Sequence, residues 1–416
     1  MDNNGIIWGI AGFATLGVIV RPFRMPEYVW AVIGAGILVV FGLLPWCDAL
    51  AAAGKGTDVY LFLVGMMLLS EVARLEGLFD WLATHAVRHA QGSAKRLFLI
   101  VYGVGTVVTV FLSNDATAVV LTPAVYAAAT AARVEPLPYL FICAFIANAA
   151  SFVLPISNPA NLVIFGAHMP PLGQWLYQFL LPSTASILVT YAALRFTQRK
   201  ALDQKIAEDL ATKPLSVGGK CVALGIGLTA VALLAASALD RQLGLPTFVA
   251  GTAVTAVVLL ISRQSPFPVF RDITWGVLPL VAGLFILVEA VEQTGILRVM
   301  AHMLHEAAAA SPQKTAVGAG AIVAFASNLL NNLPTALVAA TVSQNADVPL
   351  QVTSGLLIGV DLGPNLSVTG SLATILWLIA LRREGEAVTA WQFLKLGIII
   401  MPPALVAALL AIVIMP

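Results

Sequence analysis

Apolar residues run along the chain in blocks of about 17–32, separated by short polar breaks. A helix needs about 20 such residues to cross a bilayer. The blocks predict spans near 5–21, 27–44, 58–80, 137–166 and 174–195, then near 219–239, 245–262, 273–297, 350–381 and 391–415. Between the third and fourth block of each set lies a pair of apolar arms, 97–131 and 315–345. Each pair turns at a polar tip, Ser113-Asn114-Asp115-Ala116-Thr117 in one and Asn331-Asn332-Leu333-Pro334-Thr335 in the other. Polar, helix-breaking residues are costly at membrane depth unless they line a site, so both arms are read as re-entrant hairpins.

The two sets repeat. An offset of 218 places Asn114 on Asn332, Thr117 on Thr335, Glu71 on Glu289 and Gly77 on Gly295. An offset of 213 places Asn148 on Asp361, and Ser157-Asn158-Pro159-Ala160-Asn161 on Gly370-Ser371-Leu372-Ala373-Thr374. Pro155, Pro159, Gly363, Pro364 and Gly370 interrupt helices, so the span after each hairpin is expected to be broken. The expected fold is an all-α polytopic membrane protein of two repeats, 1–198 and 218–416, joined by a polar linker, 199–217. Each repeat has five spans and one hairpin. Five is odd, so the second repeat is expected to be inverted relative to the first.

Composition agrees: 59% of residues are hydrophobic and 10% charged, where a soluble chain carries about 25% charged. The first apolar block has no basic flank or clear cleavage site and is read as a span. Net charge is +1 and carries no signal for nucleic acid. Its distribution does carry one. Alternating the spans puts 18 of the 22 Lys and Arg on one side, leaving Lys55, Arg241, Arg298 and Lys314 on the other. The crowded side, with the linker's Arg199, Lys200, Lys205 and Lys213, is then cytoplasmic and both termini are outside.

Candidate cargo-binding residues are those of the tips and breaks: Ser113, Asn114, Thr117, Asn148, Asn158, Asn161, Asn331, Asn332, Thr335, Asn365, Thr369 and Ser371. Amides, hydroxyls and freed backbone groups at broken helices bind polar cargo in an apolar setting. The alternative for any one of them is a hydrogen bond between neighbouring helices. Asp115 and Asp361 break the repeat, facing Leu333 and Asn148 in the other half. Carboxylates without a basic partner suit reversible proton binding, or cap a half-helix. Glu71 and Glu289, present in both halves, are read as structural, bonding hairpin backbone. No Lys or Arg falls in a central span segment, which favours neutral or cationic cargo.

Cys47, Cys143 and Cys221 are too scattered for a trithiolate site, and the five histidines suggest no metal centre, so no cofactor is expected. The Asn365 sequon lies inside a span and is read as no glycosylation site.

At Ser113-Asn114-Asp115 with Leu121-Thr122-Pro123, at Asn331–Thr335, and above all at Asp361-Leu362-Gly363-Pro364-Asn365 through Thr369–Thr374 to Trp377, the chain resembles the arsenite efflux permeases. These belong to an ion-transporter superfamily that includes sodium-coupled dicarboxylate carriers and sodium/proton antiporters. Where that superfamily is Gly-Thr-rich, this chain reads Leu154-Pro155-Ile156-Ser157-Asn158-Pro159. The resemblance implies export of arsenite and antimonite, as neutral trihydroxides exchanged for protons, across a bacterial inner membrane. It also implies association with a soluble arsenite-stimulated ATPase. Sodium/proton antiport or carboxylate carriage on the same scaffold is the alternative. No signature of a membrane enzyme or channel is present.

Overall fold

The computed structural model describes residues 3–166, 169–204, 206, 214–239 and 241–414. His168, the linker's Lys205, Glu208, Asp209 and Lys213, and Pro416 lie outside the described residues. The described elements are helical, without strands. Among the described residues, seven helices are long and apolar enough to cross a membrane. The remaining expected spans differ for local reasons. Glu27–Val40 is short, and Thr57–Leu75 carries Asp58, Glu71 and Arg74. The blocks 137–166 and 350–381 are each interrupted, as their prolines and glycines require.

Element order runs in parallel in the two halves. Asn3–Val20, Glu27–Val40, Trp46–Lys55, Thr57–Leu75 and Leu78–His89 precede the first hairpin. Val217–Ala238, Gly244–Ser262, Phe267–Asp272, Val277–Gln293 and Ile296–Ala310 precede the second. The short helices Leu78–His89 and Ile296–Ala310 were not expected. Each bears its apolar side inward and opens at a glycine with positive φ, Gly77 at 72° and Gly295 at 85°. That conformation is accessible to glycine at little cost, which explains the repeated glycine.

The halves interlock by exchange. Thr57–Leu75 packs along Gly244–Ser262, and Val277–Gln293 along Glu27–Val40. Leu172–Thr197 packs along Ala390–Ile414. A further close approach is between Pro312–Leu330 and Leu350–Leu362, where Ala316, Gly320 and Ala324 face Gly355, Gly359 and Gly363. A Cβ on Gly359 would lie 2.2 Å from the Gly320 carbonyl oxygen. Small residues four apart let backbones meet where lipid supplies no hydrophobic drive between helices.

The hairpins are Ala94–Leu112 with Asn114–Ala131, and Pro312–Leu330 with Asn332–Ala346. In the first, Thr117–Leu121 is a π-turn, followed by Pro123, which cannot donate a backbone hydrogen bond. Pro334 falls in the first turn of its arm, where a missing N–H is harmless, and that arm stays regular. The described part of the linker returns to the first hairpin: the Ile206 N–H donates to the Gly92 carbonyl and Lys95 pairs with Asp203 at 2.6 Å.

Candidate functional site

Each tip is one residue held in a backbone region that favours glycine. Ser113 has φ 125° and ψ 164°, and Asn331 has φ 73° and ψ 154°. Each also caps the arm that follows. Ser113 Oγ accepts from the Ala116 N–H, and Asn331 Oδ1 from the Leu333 N–H, both at 3.4 Å. Strain of this kind persists only where surrounding structure imposes it. Here the imposing structure is the broken span of the same half. Ser157 Oγ donates to the Val110 carbonyl at 3.0 Å in the first half. In the second, the Asn332 N–H donates to the Gly370 carbonyl at 2.8 Å, and Asn331 Nδ2 to that of Thr369 at 3.3 Å.

Asn328, which sequence reasoning passed over, completes the second seam. Its Nδ2 donates to the Gly363 carbonyl at 2.9 Å, its Oδ1 accepts from Ser367, and its carbonyl accepts from Thr369 Oγ1. Its only signal in the sequence is its place one turn before the second tip.

The two breaks meet. The first runs from the end of Leu137–Ala149, through Pro155–Ser157, to Pro159–Phe165. The second runs from Leu350–Leu362, through Gly363–Asn365, to Leu372–Arg383. Asn148 Nδ2 donates to Asn365 Oδ1 at 3.0 Å, and Asn365 Nδ2 to the Phe145 carbonyl at 3.0 Å. Asp361, fully buried, accepts from Ser151 Oγ at 2.7 Å and Asn158 Nδ2 at 2.8 Å. One carboxylate of the second half therefore holds both ends of the first half's break.

Four expected residues surround one cavity. Asn114 and Asp115 of the first tip, Asn158 of the first break and Asn332 of the second tip line a space of about 20 Å³, closed by apolar residues including Leu63, Leu333 and Leu372. That is room for about one water, which needs roughly 10–15 Å³. Asp115, Leu63, Pro159 and Val277 also line a second cavity of about 80 Å³ leading past Ser113 to Glu71 and Asp272. A third, of about 480 Å³, is walled by Lys55, Asp58, Gln242, Glu289 and Thr341, and its inner wall is Leu162, Val163 and Leu337.

The other expected residues are engaged elsewhere. Thr117 Oγ1 meets Thr109 Oγ1 at 2.8 Å. Thr335 Oγ1 donates to the Asn331 carbonyl at 2.8 Å. Asn161 Nδ2 reaches the carbonyls of Ser151, Leu154 and Pro155. Ser371 caps Thr374, and Thr369 bonds Asn328. These groups shape the breaks, while Asn114, Asp115, Asn158 and Asn332 line the cavity, Asn158 also bonding Asp361 and the Ala160 N–H.

Glu71 and Glu289 do not bond hairpin backbone as expected. Each is near enough to a cation for an ion pair. Glu71 pairs with Arg74, which also reaches Asp272 of the other half at 3.0 Å. Glu289 pairs with Lys55 of the other half at 2.6 Å. Cys143 is buried and Cys47 exposed, and His302 pairs only with Glu306 on its own helix at 3.3 Å.

A family profile described as citrate transporter (CitMHS) matches residues 15–359. The chain is 26% identical to a protein named arsenical pump membrane protein from Escherichia coli K12, over 98% of this chain and 95% of that one. It is also 26% identical to one of the same name from Yersinia enterocolitica, over 84% of each. Among solved structures, the Alcanivorax borkumensis YdaH transporter superposes with a TM-score of 0.58 at 15% identity, over 88% of this chain and 86% of that one, a likeness of fold.

Proposed function

The chain belongs to the CitMHS citrate transporter family, and from that premise we propose that it is a secondary transporter whose cargo is arsenite or antimonite as the neutral trihydroxide, exported in exchange for protons. The observation that carries this reading is the convergence of Asn114, Asp115, Asn158 and Asn332 on one small cavity, which must widen into the adjoining space past Ser113 to take a cargo larger than water. Three amides and one carboxylate, with no Lys or Arg, suit a small neutral molecule whose hydroxyls both donate and accept. They do not suit citrate. Helices start at Asn114, Pro159, Asn332 and Leu372 around the cavity, but no cation offsets a multiply charged carboxylate and Asp115 would repel it. The names of the Escherichia coli and Yersinia relatives support the same cargo. Asp115 and Asp361 are the proton carriers in this reading, and Asn161, Asn331, Asn365, Thr369 and Ser371 hold the breaks in shape.

Transport proceeds as follows. A hydroxyl of the cargo donates to the ionised Asp115, and the amides orient the other two. A proton arriving from outside neutralises the carboxylate, removes its hold and releases the cargo outward. The protonated, empty site then returns to face the cytoplasm, where it releases its proton and takes up cargo again. The recurring element order supports reading the halves as inverted repeats, one presented to each side. In this reading, with the charge asymmetry, the cavity at Glu71 and Asp272 opens to the cytoplasm and that at Lys55 and Glu289 to the outside. A soluble ATPase would dock on the cytoplasmic face.

The test is accumulation of arsenite in everted vesicles carrying this protein alone, under an imposed pH gradient, with and without sodium, and with citrate in parallel. Proton-driven arsenite accumulation independent of sodium is expected. Accumulation that needs sodium, or uptake of citrate in place of arsenite, would transfer the assignment to a sodium-coupled carrier.

A further inference from the structure

Ser151 has one hydroxyl proton and two acceptors. Its Oγ lies 2.7 Å from the Asn148 carbonyl oxygen and 2.7 Å from Asp361 Oδ2. A hydroxyl donates once and accepts through its lone pairs, and a backbone carbonyl only accepts. Both short contacts are fully met when Ser151 donates to Asn148 and Asp361 Oδ2 carries a proton and donates to Ser151. When Asp361 is ionised, the hydroxyl turns to donate to Oδ2, and the Asn148 carbonyl keeps the Ser151 N–H at 3.3 Å. Asp361 Oδ1 accepts from Asn158 Nδ2 in both states.

Asp361 and Ser151 are both fully buried, and no water need enter for either arrangement. An unpaired buried donor or acceptor is costly, so a carboxyl group that exchanges protons in such a place needs a neighbour that can be donor at one time and acceptor at another. Asn158 cannot serve on this side, because its amide nitrogen only donates and its Oδ1 is taken by the Ala160 N–H at 3.0 Å. The helices packed against Leu350–Leu362 carry the titratable groups Tyr139, Cys143, Tyr177, Tyr191, Arg195, Lys314 and Lys395. None of them bonds to Asp361. Tyr139 bonds the Ala94 carbonyl, Cys143 that of Tyr139, Arg195 bonds Tyr191, and Lys395 lies over the Trp391 ring.

We infer that Ser151 is the positioning residue that lets Asp361 take up and release a proton without leaving a buried polar group unpaired, by turning one hydroxyl between Asp361 and the Asn148 carbonyl. This rests on the proton-carrying role proposed for Asp361. Because Ser151 opens the first half's break and Asn148 closes the helix before it, the turn couples protonation in the second half to the shape of the break in the first.

The test is infrared difference spectroscopy of the purified full chain in lipid, titrated with acid in the absence of cargo. Asp361→Asn identifies the Asp361 band as the carboxylic C=O stretch it removes. In Ser151→Ala the proton concentration at half-height of that band should fall by about tenfold, because the bond lost from the ionised carboxylate is worth about 1.4 kcal/mol more than the neutral bond lost from the protonated one. The band should also shift in frequency, since the acid has lost its acceptor. Ser151→Thr, which keeps the hydroxyl, should restore both, and Ser151→Cys, a poor donor of similar volume, replaces alanine if that variant does not fold. A midpoint and frequency unchanged in Ser151→Ala or Ser151→Cys would reduce Ser151 to a helix-end cap and leave the transport reading intact. If Asp361→Asn removes no titrating band, Asp361 carries no proton, and the coupling reading fails with this one.

Discussion

Ser113 and Asn331 stand 218 positions apart and hold the same unusual backbone, with φ of 125° and 73° and ψ of 164° and 154°. Neither is glycine, although the region favours it. Both keep a side chain because it caps the next arm, and Asn331 also ties the tip to the Thr369 carbonyl. Capping and backbone ease are thus in competition. Asn331→Gly loses the cap and the tie but relieves the backbone, whereas Asn331→Ala loses them and relieves nothing. Thermal unfolding of the purified protein should rank wild type above Asn331→Gly above Asn331→Ala, with the two variants about 1 kcal/mol apart. An alanine variant as stable as the glycine one would mean the tip is not held by the positive φ.

The packing of Pro312–Leu330 on Leu350–Leu362 makes a second test. A Cβ at Gly359 would meet the Gly320 carbonyl oxygen at 2.2 Å and the Ala324 nitrogen at 3.1 Å, both backbone atoms that cannot swing aside. Gly359→Ala must therefore push the helices apart, and overpacking of this kind costs about 1–3 kcal/mol. The displaced helix carries Asp361, so transport should fall with stability. Gly318→Ala, with nothing within 4 Å of its Cβ, is the control expected to be neutral in both measurements.

Much of this arrangement was legible in the chain. The hairpins follow from polar tips in apolar arms, and the breaks from Pro155, Pro159, Gly363, Pro364 and Gly370. Matching polar clusters in two halves located Asn114, Asp115, Asn158 and Asn332, and these do share a cavity. What sequence left out was direction. Thr117, Thr335 and Asn161 sit in the same clusters, yet turn back to Thr109, Asn331 and the break's own carbonyls. A hydroxyl on a helix can always reach the carbonyl one turn earlier, and spacing does not tell whether it does. Ser151 and Asn328 were missed because their partners lie 210 and 35 positions away and only the folded chain brings them together. The amphipathic helices Leu78–His89 and Ile296–Ala310 escaped because they are too short and polar to register as spans.

Orientation rests on charge. With 18 of 22 Lys and Arg on one side, a reporter active only in the cytoplasm should give signal in the 199–217 linker and be silent after Pro416. The first arm, Ala94–Leu112, is itself long enough to cross a membrane. Counting each hairpin as two spans leaves every loop on the same side, so this measurement tests the ten-span count and not the hairpins. A bright C-terminal fusion would overturn that count.

The coupling assignment can be tested because the two aspartates have different surroundings. Asp115 lines the cavity and is half-buried, while Asp361 is sealed behind Ser151 and Asn158. In Asp361→Asn the amide oxygen can accept from Asn158 and the amide nitrogen can donate to Ser151, which then donates to Asn148. This reproduces the protonated arrangement without a proton, so the variant should fold with stability within about 0.5 kcal/mol of wild type. It should catalyse arsenite counterflow but fail to accumulate arsenite against a gradient, because nothing at that site can be released. Asp115→Asn should also uncouple, and in addition raise the arsenite concentration for half-maximal rate by about tenfold, since the cargo exchanges a charged acceptor worth about 1.5–3 kcal/mol for a neutral one worth about 0.5–1.5 kcal/mol. Counterflow and gradient-driven uptake in the same vesicles separate the two effects. Should both single variants still accumulate arsenite in proportion to the imposed gradient, the aspartates are structural. The proton must then pass through Glu71 or Glu289, which line the two larger cavities and pair with Arg74 and Lys55.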